Sequence, residues 1–208
     1  MFERPAREPI APGAVWLHGF ALADAGALLA DVQLALQQAP LRHLVTPGGY
    51  RMSVAMSNCG PLGWCSDERG YRYAAQDPQS GRPWPSMPHS FMSLASRAAA
   101  AAGYADFTPD ACLINRYEPG ARLTLHQDRD ERDHRQPIVS VSLGLPAVFL
   151  FGGPRRSDRA HRLPLQHGDV VVWGGPSRLA YHGIQALAHG THTLTGPCRY
   201  NLTFRCAG

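Results

Sequence analysis

The stretch Ile138-Val139-Ser140-Val141-Ser142-Leu143-Gly144-Leu145 (residues 138–145) alternates between large apolar and small residues. Because successive side chains of a strand point to opposite faces, the valines and leucines share one face. Ser140, Ser142 and Gly144 share the other face, where they leave room for a ligand. The stretch therefore predicts a strand of a sheet sandwich, packed against a core on one side and facing a bound molecule on the other.

The chain around this strand, from Asp110 onward, repeats the pattern of short alternating segments between Pro and Gly turns. This pattern is typical of a sandwich or a double-sheet jelly roll. We predict an α+β, mainly β, fold class. The further strands are predicted at Ala111–Tyr117, Leu123–His126, Val148–Phe151, His161–Leu165, Asp169–Trp173 and Arg199–Arg205.

The N-terminal part predicts support elements. Residues 1–19 read as an irregular arm that ends in a short strand, Ala14–Leu17. Apolar residues at helical spacing predict an amphipathic helix over Ala21–Gln38. Ser86 is the expected N-cap of a second helix, with Pro88 in its first turn and Gly103 at its end.

Composition limits the class of protein. A chain of 208 residues, 44% hydrophobic and 17% charged, fits one packed domain. No apolar run reaches the roughly 20 residues that span a bilayer, and the polar N-terminus lacks the apolar core of a signal peptide. We expect a cytoplasmic monomer without membrane contact. Five cysteines without a C-x-x-C pair favour neither a disulfide framework nor a zinc knot.

The segment from Thr46 to Trp84 is rich in Gly and Pro and interleaves aromatic residues with arginines. Met52, Val54 and Met56 alternate and predict one short strand within it. Aromatic rings beside Arg suit base stacking and phosphate contact, but the rings could equally pack a hairpin against the domain. The net charge of +4 permits a polyanionic partner. All 20 basic residues are Arg, which codon bias also explains.

His126-x-Asp128 places an imidazole and a carboxylate on the same face of extended backbone. The pair supplies two of the three ligands of a 2-His-1-carboxylate iron site. His182, after the strand Asp169–Trp173, is the favoured second histidine, and spacing alone leaves the choice open. The competing residues are His134, His161, His167, His189 and His192.

The strand Arg199–Arg205 alternates between polar residues and Tyr200, Leu202 and Phe204. Its polar face carries Arg199, Asn201, Thr203 and Arg205. Two arginines on one buried face are costly without an anion, and Arg holds a carboxylate through two parallel hydrogen bonds. The face therefore indicates a small dicarboxylate, with Asn115 and Tyr117 of a neighbouring strand as further contacts. The alternative is a solvated outer face.

Four motifs together resemble the AlkB family of Fe(II)/2-oxoglutarate-dependent dioxygenases, and most closely its bacterial members. They are Asn115-x-Tyr117, His126-x-Asp128-x-Asp130-Glu131, His182 and Arg199-x-Asn201-x-x-x-Arg205. The resemblance implies one domain over residues 1–208, with a double-stranded β-helix core at 110–206 under a nucleotide-recognition lid at 46–84.

The resemblance also implies the ligand contacts. Fe(II) would be held by His126, Asp128 and His182, with 2-oxoglutarate and O2 as co-substrates. Arg205 would pair with the distal carboxylate of 2-oxoglutarate, and the rest of that molecule would be oriented by Asn115, Tyr117, Arg199, Asn201 and Thr203.

The implied reaction is oxidative demethylation of 1-methyladenine or 3-methylcytosine in single-stranded DNA, with release of formaldehyde, succinate and CO2. Double-stranded DNA and RNA are further candidate substrates. Trp64 and His126 would sandwich the flipped base, Asp130 would face its edge, and Glu131 would be a further substrate-binding residue. The substrate strand would be contacted by Tyr71, Arg72, Tyr73 and Arg156.

Two other functions remain open at this point. A related oxygenase acting on a protein or a small molecule would keep the iron and 2-oxoglutarate residues, but it would not need Trp64, Tyr71 and Asp130. A non-catalytic damage-binding module would bind the metal without turnover.

Overall fold

The structure is a computed structural model that describes residues 5–208, so the first four residues of the predicted N-terminal arm lie outside the described residues. The strands are β1 Arg7–Ala11, β2 Ala14–Leu17, β3 Ala55–Cys59, β4 Gly63–Asp67, β5 Gly70–Ala74, β6 Ala111–Tyr117, β7 Leu123–His126, β8 Ile138–Gly144, β9 Ala147–Phe151, β10 His161–Leu165, β11 Val170–Trp173, β12 His182–Ile184 and β13 Arg199–Arg205. The helices are α1 Ala25–Gln38 and α2 His89–Ala101, with a 3-10 turn at Gly175–Ser177.

The strands form two facing sheets and a separate hairpin. The major sheet has seven strands in the order β1-β2-β11-β8-β13-β6-β3, and the minor sheet has the order β10-β9-β12-β7. The remaining pair, β4 and β5, is called the lid hairpin below. The prediction of a mainly β double-sheet fold is confirmed.

Two cores flank the major sheet. On its outer face, Val139, Val141 and Leu202 pack against the buried faces of α1 and α2. On its inner face, side chains such as Trp173 pack against Phe149 and Phe151 of the minor sheet. Because both faces are covered, the polar face of β13 lies inside the molecule, and the alternative of a solvated outer face is wrong.

Both helices begin later than predicted. The backbone N–H of Ala21 donates to Gly168 O, which holds residues 21–24 in turns, so α1 starts at Ala25. Ser86 is not an N-cap: α2 starts at His89 with Pro88 in the cap position. A residue before proline is disfavoured in helical conformation, and Met87 therefore cannot belong to the helix.

The N-terminal arm and the lid segment are more regular than predicted. The arm contains β1, which pairs antiparallel with β2. The predicted strand around residues 52–56 is instead β3, shifted toward Cys59 at the edge of the major sheet. The lid hairpin, which the many Gly and Pro residues concealed, turns through Glu68-Arg69 into Gly70 at φ +108°, a backbone conformation that favours glycine.

No helix within residues 5–208 is long and apolar enough to cross a membrane. The five cysteines are free, as the absence of a disulfide pattern predicts.

Candidate active site

A His-Asp-His cluster forms where two neighbouring strands of the minor sheet meet. His126 ends β7 and His182 begins β12, and the two residues are register partners with ring centroids 4.4 Å apart. The carboxylate of Asp128 lies 3.6 Å from His126 Nε2 and 3.8 Å from His182 Nε2. One ligand atom from each residue lies within 4.8 Å of the others, and no second such group of three occurs within residues 5–208. The structure thus brings together the three predicted metal ligands.

Backbone carbonyls orient both imidazoles. His126 Nδ1 lies 2.9 Å from Thr124 O, and His182 Nδ1 lies 3.0 Å from Ala180 O. A carbonyl oxygen only accepts, so Nδ1 carries the proton and the lone pair of Nε2 faces Asp128. Burial, followed by the nearby His126, lowers the pKa of His182 to about 4. His182 therefore presents the neutral nitrogen that a metal ion requires.

Arg205 holds the third ligand. Burial alone would raise the pKa of Asp128, but Arg205 and then the two imidazoles hold this pKa well below its usual range. Nε and Nη2 of Arg205 donate to Asp128 Oδ2 at 2.9 and 2.6 Å, while Oδ1 is the oxygen nearest His126. Two imidazoles and one ionised carboxylate match the 2-His-1-carboxylate donor set of Fe(II) oxygenases.

A buried ion network extends from Arg205 to Glu131. Arg205 Nε lies 3.3 Å from Glu131 Oε1, and Arg178 Nη2 donates to Glu131 Oε2 at 3.0 Å. Arg178 also donates to the backbone oxygens of Asp128 and Gln136. Sequence reasoning missed Arg178, because no periodicity or motif marks a single arginine in the turn before His182. Its role depends on contacts with a segment some 50 residues away.

A second polar site lies on the inner face of the major sheet. Strand register sets Arg199, Asn201 and Thr203 of β13 opposite Gly144, Ser142 and Ser140 of β8. Tyr117 and Asn115 of β6 flank β13 on its other side, directly opposite Arg199 and Asn201. The predicted co-substrate residues of β13 and β6 are thus neighbours on one buried face.

Hydrogen bonds fix most of this face. Asn201 Nδ2 donates to Ser140 Oγ at 2.8 Å, and Thr203 Oγ1 donates to Asn201 Oδ1 at 2.9 Å. Arg199 Nη2 donates to Ser142 Oγ at 2.9 Å, and its guanidinium lies 5.1 Å from the centroid of the Tyr117 ring.

Arg199 retains unused hydrogen-bonding capacity. It is only 1% exposed, yet its Nε and Nη1 have no partner within the described residues. Burial lowers the pKa of this guanidinium. A buried charge with unpaired N–H groups is costly, and an anionic ligand beside the guanidinium would offset that cost. The geometry therefore favours Arg199, rather than the predicted Arg205, as the partner of a ligand's distal carboxylate, because Arg205 is already committed to Asp128 and Glu131.

The lid hairpin contributes an aromatic surface beside the metal cluster. The rings of Trp64 and Tyr71 stack with centroids 5.5 Å apart and an interplanar angle of 13°. Trp64 Nε1 donates to Asp130 Oδ2 at 2.9 Å, which fixes the indole against the segment that carries His126 and Asp128. Tyr71 is 48% exposed. The hypothesis that these aromatics form a stacking surface fits this geometry.

Three predicted substrate contacts are engaged elsewhere. The Tyr73 hydroxyl donates to Glu131 Oε1 at 2.6 Å instead of pointing to solvent, and burial raises its pKa well above the ordinary value. Glu131 is buried in its ion network, where it cannot face a base edge. Arg72 donates to both oxygens of Asp67 at 2.8 and 2.7 Å. Arg156 lies exposed in the β9–β10 loop, without a hydrogen bond to the rest of residues 5–208.

The comparisons with known proteins agree with this geometry. Residues 13–205 match the model of the 2OG-Fe(II) oxygenase superfamily. The chain is 63% identical over 205 residues to alpha-ketoglutarate-dependent dioxygenase AlkB of Salmonella typhimurium, covering 99% of this chain and 95% of that relative. Human nucleic acid dioxygenase ALKBH1 is 36% identical over 98 residues, covering 47% of this chain and 25% of the human protein. The solved structure of OsALKBH1 superposes with a TM-score of 0.85 at 29% identity, over 96% of this chain and 99% of that one.

Proposed function

The chain belongs to the 2OG-Fe(II) oxygenase superfamily, and on that premise we propose that it repairs nucleic acid by oxidative removal of N-linked methyl groups. It is an Fe(II)- and 2-oxoglutarate-dependent dioxygenase that uses O2. The proposed substrates are 1-methyladenine and 3-methylcytosine in single-stranded DNA. The observation that carries this proposal is the stacked pair of Trp64 and Tyr71, tied through Asp130 to the segment that bears His126 and Asp128.

His126, Asp128 and His182 are the proposed Fe(II) ligands. When bound with 2-oxoglutarate and O2, the iron supplies the oxidant that hydroxylates the methyl carbon, with succinate and CO2 as co-products. The hydroxymethyl group then leaves the base nitrogen as formaldehyde. The protein keeps the His182 imidazole neutral and the Asp128 carboxylate ionised, so these two ligands need no proton loss at neutral pH.

The buried face of the major sheet binds and orients 2-oxoglutarate in this proposal. Arg199 receives the distal carboxylate with Nη1, one of its two nitrogens that lack a partner among the described residues. The small side chains of Ser140 and Ser142 and the amide of Asn201 shape the pocket next to it. Arg205 acts differently, because it holds one oxygen of Asp128 and leaves the other for the metal.

Base recognition is assigned to Trp64 and Asp130. A flipped base stacks on the exposed side of the Trp64 indole, and stacking tolerates every base because each has an aromatic face. Methylation at N1 of adenine or N3 of cytosine makes the ring cationic, and the exposed carboxylate of Asp130 attracts that charge. A methylated base cannot pair normally, so less energy is needed to extrude it from the stack.

A direct assay tests this function. The protein is incubated with Fe(II), 2-oxoglutarate and single-stranded DNA containing 3-methylcytosine, and loss of the methyl group is followed by mass spectrometry. We expect repair by the wild type and none by His126→Ala. Repair of neutral 3-methylthymine serves as the control for charge, and Asp130→Asn should reduce repair of the cationic base more than that of the neutral one.

Other outcomes identify the alternatives. Repair that persists in His126→Ala contradicts the proposed metal site. Succinate formation without loss of methyl from any oligonucleotide would indicate an oxygenase with a protein or small-molecule substrate. Metal binding with neither product would indicate a damage-binding module. Double-stranded DNA and RNA carrying the same lesion, tested in parallel, establish the preferred polymer.

A further inference from the structure

Tyr73 links the lid hairpin to the buried ion network. Tyr73 and Trp64 are register partners on β5 and β4, so both side chains lie on the same face of the hairpin. Trp64 bonds to the exposed Asp130, whereas the Tyr73 hydroxyl reaches the buried Glu131 at 2.6 Å. Two consecutive acidic residues next to the metal motif thus receive hydrogen bonds from two adjacent positions of the lid.

Arg205 is shared between two carboxylates. It donates twice to Asp128 Oδ2, and its Nε also lies 3.3 Å from Glu131 Oε1. The Tyr73 hydroxyl donates to the same Oε1 atom of Glu131. Because this hydroxyl already satisfies Oε1, the guanidinium can remain turned toward Asp128. Without the hydroxyl, Oε1 would keep only the long contact with Arg205 and would draw the guanidinium away from Asp128.

The orientation of Arg205 determines how Asp128 meets a metal ion. With Oδ2 occupied by two hydrogen bonds, Asp128 offers Oδ1, which is the oxygen nearest His126, whereas Oδ2 is the oxygen nearest His182. Groups that hydrogen-bond to a metal ligand and orient it influence the affinity of the site for the metal, although they do not contact the ion. We propose that Tyr73 is a positioning residue of the metal site, which acts through Glu131 and Arg205 to fix the carboxylate of Asp128.

This relay also connects the lid to the metal. The residue that stacks on the base and the residue that positions the metal ligand are cross-strand neighbours, so a displacement of the hairpin alters both sites. Such coupling is reciprocal: a base bound at the lid changes the affinity for the metal by the same factor as the metal changes the affinity for the base. The inference rests on the proposed metal ligands and is independent of the nucleic-acid substrate.

The test is a titration of the full-length protein with Mn(II), without nucleic acid, followed by calorimetry and by the electron paramagnetic resonance of free Mn(II). Tyr73→Phe removes one oxygen atom and keeps the ring. We expect it to weaken Mn(II) binding by about tenfold, the lower end of the range for groups that orient metal ligands.

Tyr104→Phe is the matched control. The Tyr104 hydroxyl donates to Gly13 O at 2.7 Å, and its ring packs against the outer core next to the helices. This variant loses a comparable hydrogen bond, and we expect it to bind Mn(II) within twofold of the wild type. Thermal unfolding of both metal-free variants measures the general loss of stability. Equal weakening in the two variants, or wild-type affinity in Tyr73→Phe, overturns the inference.

Two further variants separate the possible failures. Asp128→Asn should abolish Mn(II) binding. If Asp128→Asn still binds Mn(II), both the proposed metal site and the inference are overturned. If Asp128→Asn loses Mn(II) binding while Tyr73→Phe binds as the wild type does, the inference alone is overturned. The Glu131→Gln background tests the route. If Glu131 transmits the effect, Tyr73→Phe should weaken Mn(II) binding by less than twofold in the Glu131→Gln background. A full tenfold loss in both backgrounds overturns the relay.

Discussion

The inner face of the major sheet and the face of the lid hairpin both carry proposed binding residues, but the protein holds them in different ways. On the sheet, strand register places Arg199 and Asn201, and neighbouring serines bond to them within a buried layer. On the hairpin, the side chains of Trp64 and Tyr73 each make one hydrogen bond to an acidic residue of another segment. The sheet site is therefore preorganised, whereas the lid site is adjustable.

The two arrangements suit their proposed ligands. A co-substrate that is always the same dicarboxylate fits a rigid pocket whose buried arginine keeps N–H groups in reserve. A base that arrives on a flexible polymer requires a surface that can adjust, and rings at the rim of the protein provide it. The predictions below test this contrast in order of decreasing effect.

The largest effect is expected from Arg199→Met. Loss of the guanidinium should weaken 2-oxoglutarate binding by about 2–5 kcal/mol, the usual cost of truncating one partner of a buried charge pair. The metal-free protein should become no less stable, because an apolar side chain replaces a buried charge. Anaerobic calorimetry with 2-oxoglutarate and chemical denaturation measure the two quantities.

Leu202→Met is the control for Arg199→Met, since Leu202 lies on the same strand with its side chain in the outer core. It should leave 2-oxoglutarate affinity unchanged. Wild-type affinity in Arg199→Met would show that the pocket does not depend on this arginine, and would return the role to Arg205.

The same contrast explains what could be predicted from the sequence. The alternation of Arg199–Arg205 is local information, so the polar face of β13 could be identified before any partner strand was known. The contact between His126 and His182 required knowing that β7 and β12 are neighbours, and spacing alone left six histidines in competition.

The contacts of the lid hairpin were harder to predict, because they too depend on segments that are distant in the sequence. The family resemblance implied that Tyr73 would contact the substrate strand, yet its hydroxyl bonds to Glu131, 58 residues away. The family resemblance assigned Arg205 to the distal carboxylate of the co-substrate, and the sequence did not show that it would also donate to Asp128 and lie near Glu131. The partners of these side chains lie on distant segments that periodicity cannot connect.

A pH series should separate the His-Asp-His cluster on the minor sheet from the lid hairpin in the metal-free protein. His182 has a pKa of about 4, lowered from 6.5 first by burial and then by His126. As pH falls from 6.5 to 4, His182 binds a proton in the unfolded chain but not in the folded protein. The free energy of unfolding should therefore drop by about 3 kcal/mol and then level off. The carboxyl of Asp67 in the lid hairpin, hydrogen-bonded to Arg72, has a pKa of about 2, so its contribution disappears only as pH falls from 3.8 toward 2.

Denaturant titrations in EDTA at a series of pH values measure these windows. His182→Gln should remove most of the slope between pH 6.5 and 4 and leave the acid limb below pH 3.8 in place. An unchanged slope in this variant would mean that other histidines govern the upper window, and the His-Asp-His cluster would then not be the acid-sensitive region.

Trp64→Ala should separate base binding from co-substrate binding. Loss of one base–aromatic stack should weaken the affinity for methylated single-stranded DNA by about 1–3 kcal/mol. The affinity for 2-oxoglutarate should not change, because the Trp64 side chain makes its hydrogen bond to Asp130 and not to the inner sheet face. Fluorescence anisotropy of a labelled oligonucleotide and anaerobic calorimetry give the two values, and a parallel loss of both would contradict the separation of the regions.

The smallest effect concerns two arginines expected to contact phosphates. Arg156 is exposed and forms no hydrogen bond to the other described residues, whereas Arg72 uses both terminal nitrogens on Asp67. Arg156→Gln should therefore reduce the slope of log affinity against log salt by about 0.7, the value for one phosphate contact on a single strand. Arg72→Gln should leave this slope unchanged, because a phosphate contact would require Arg72 to release Asp67. Equal reductions in the two variants would show that the ion pair opens when the polymer binds, and the hairpin would then be adjustable in its charges as well as in its aromatic rings.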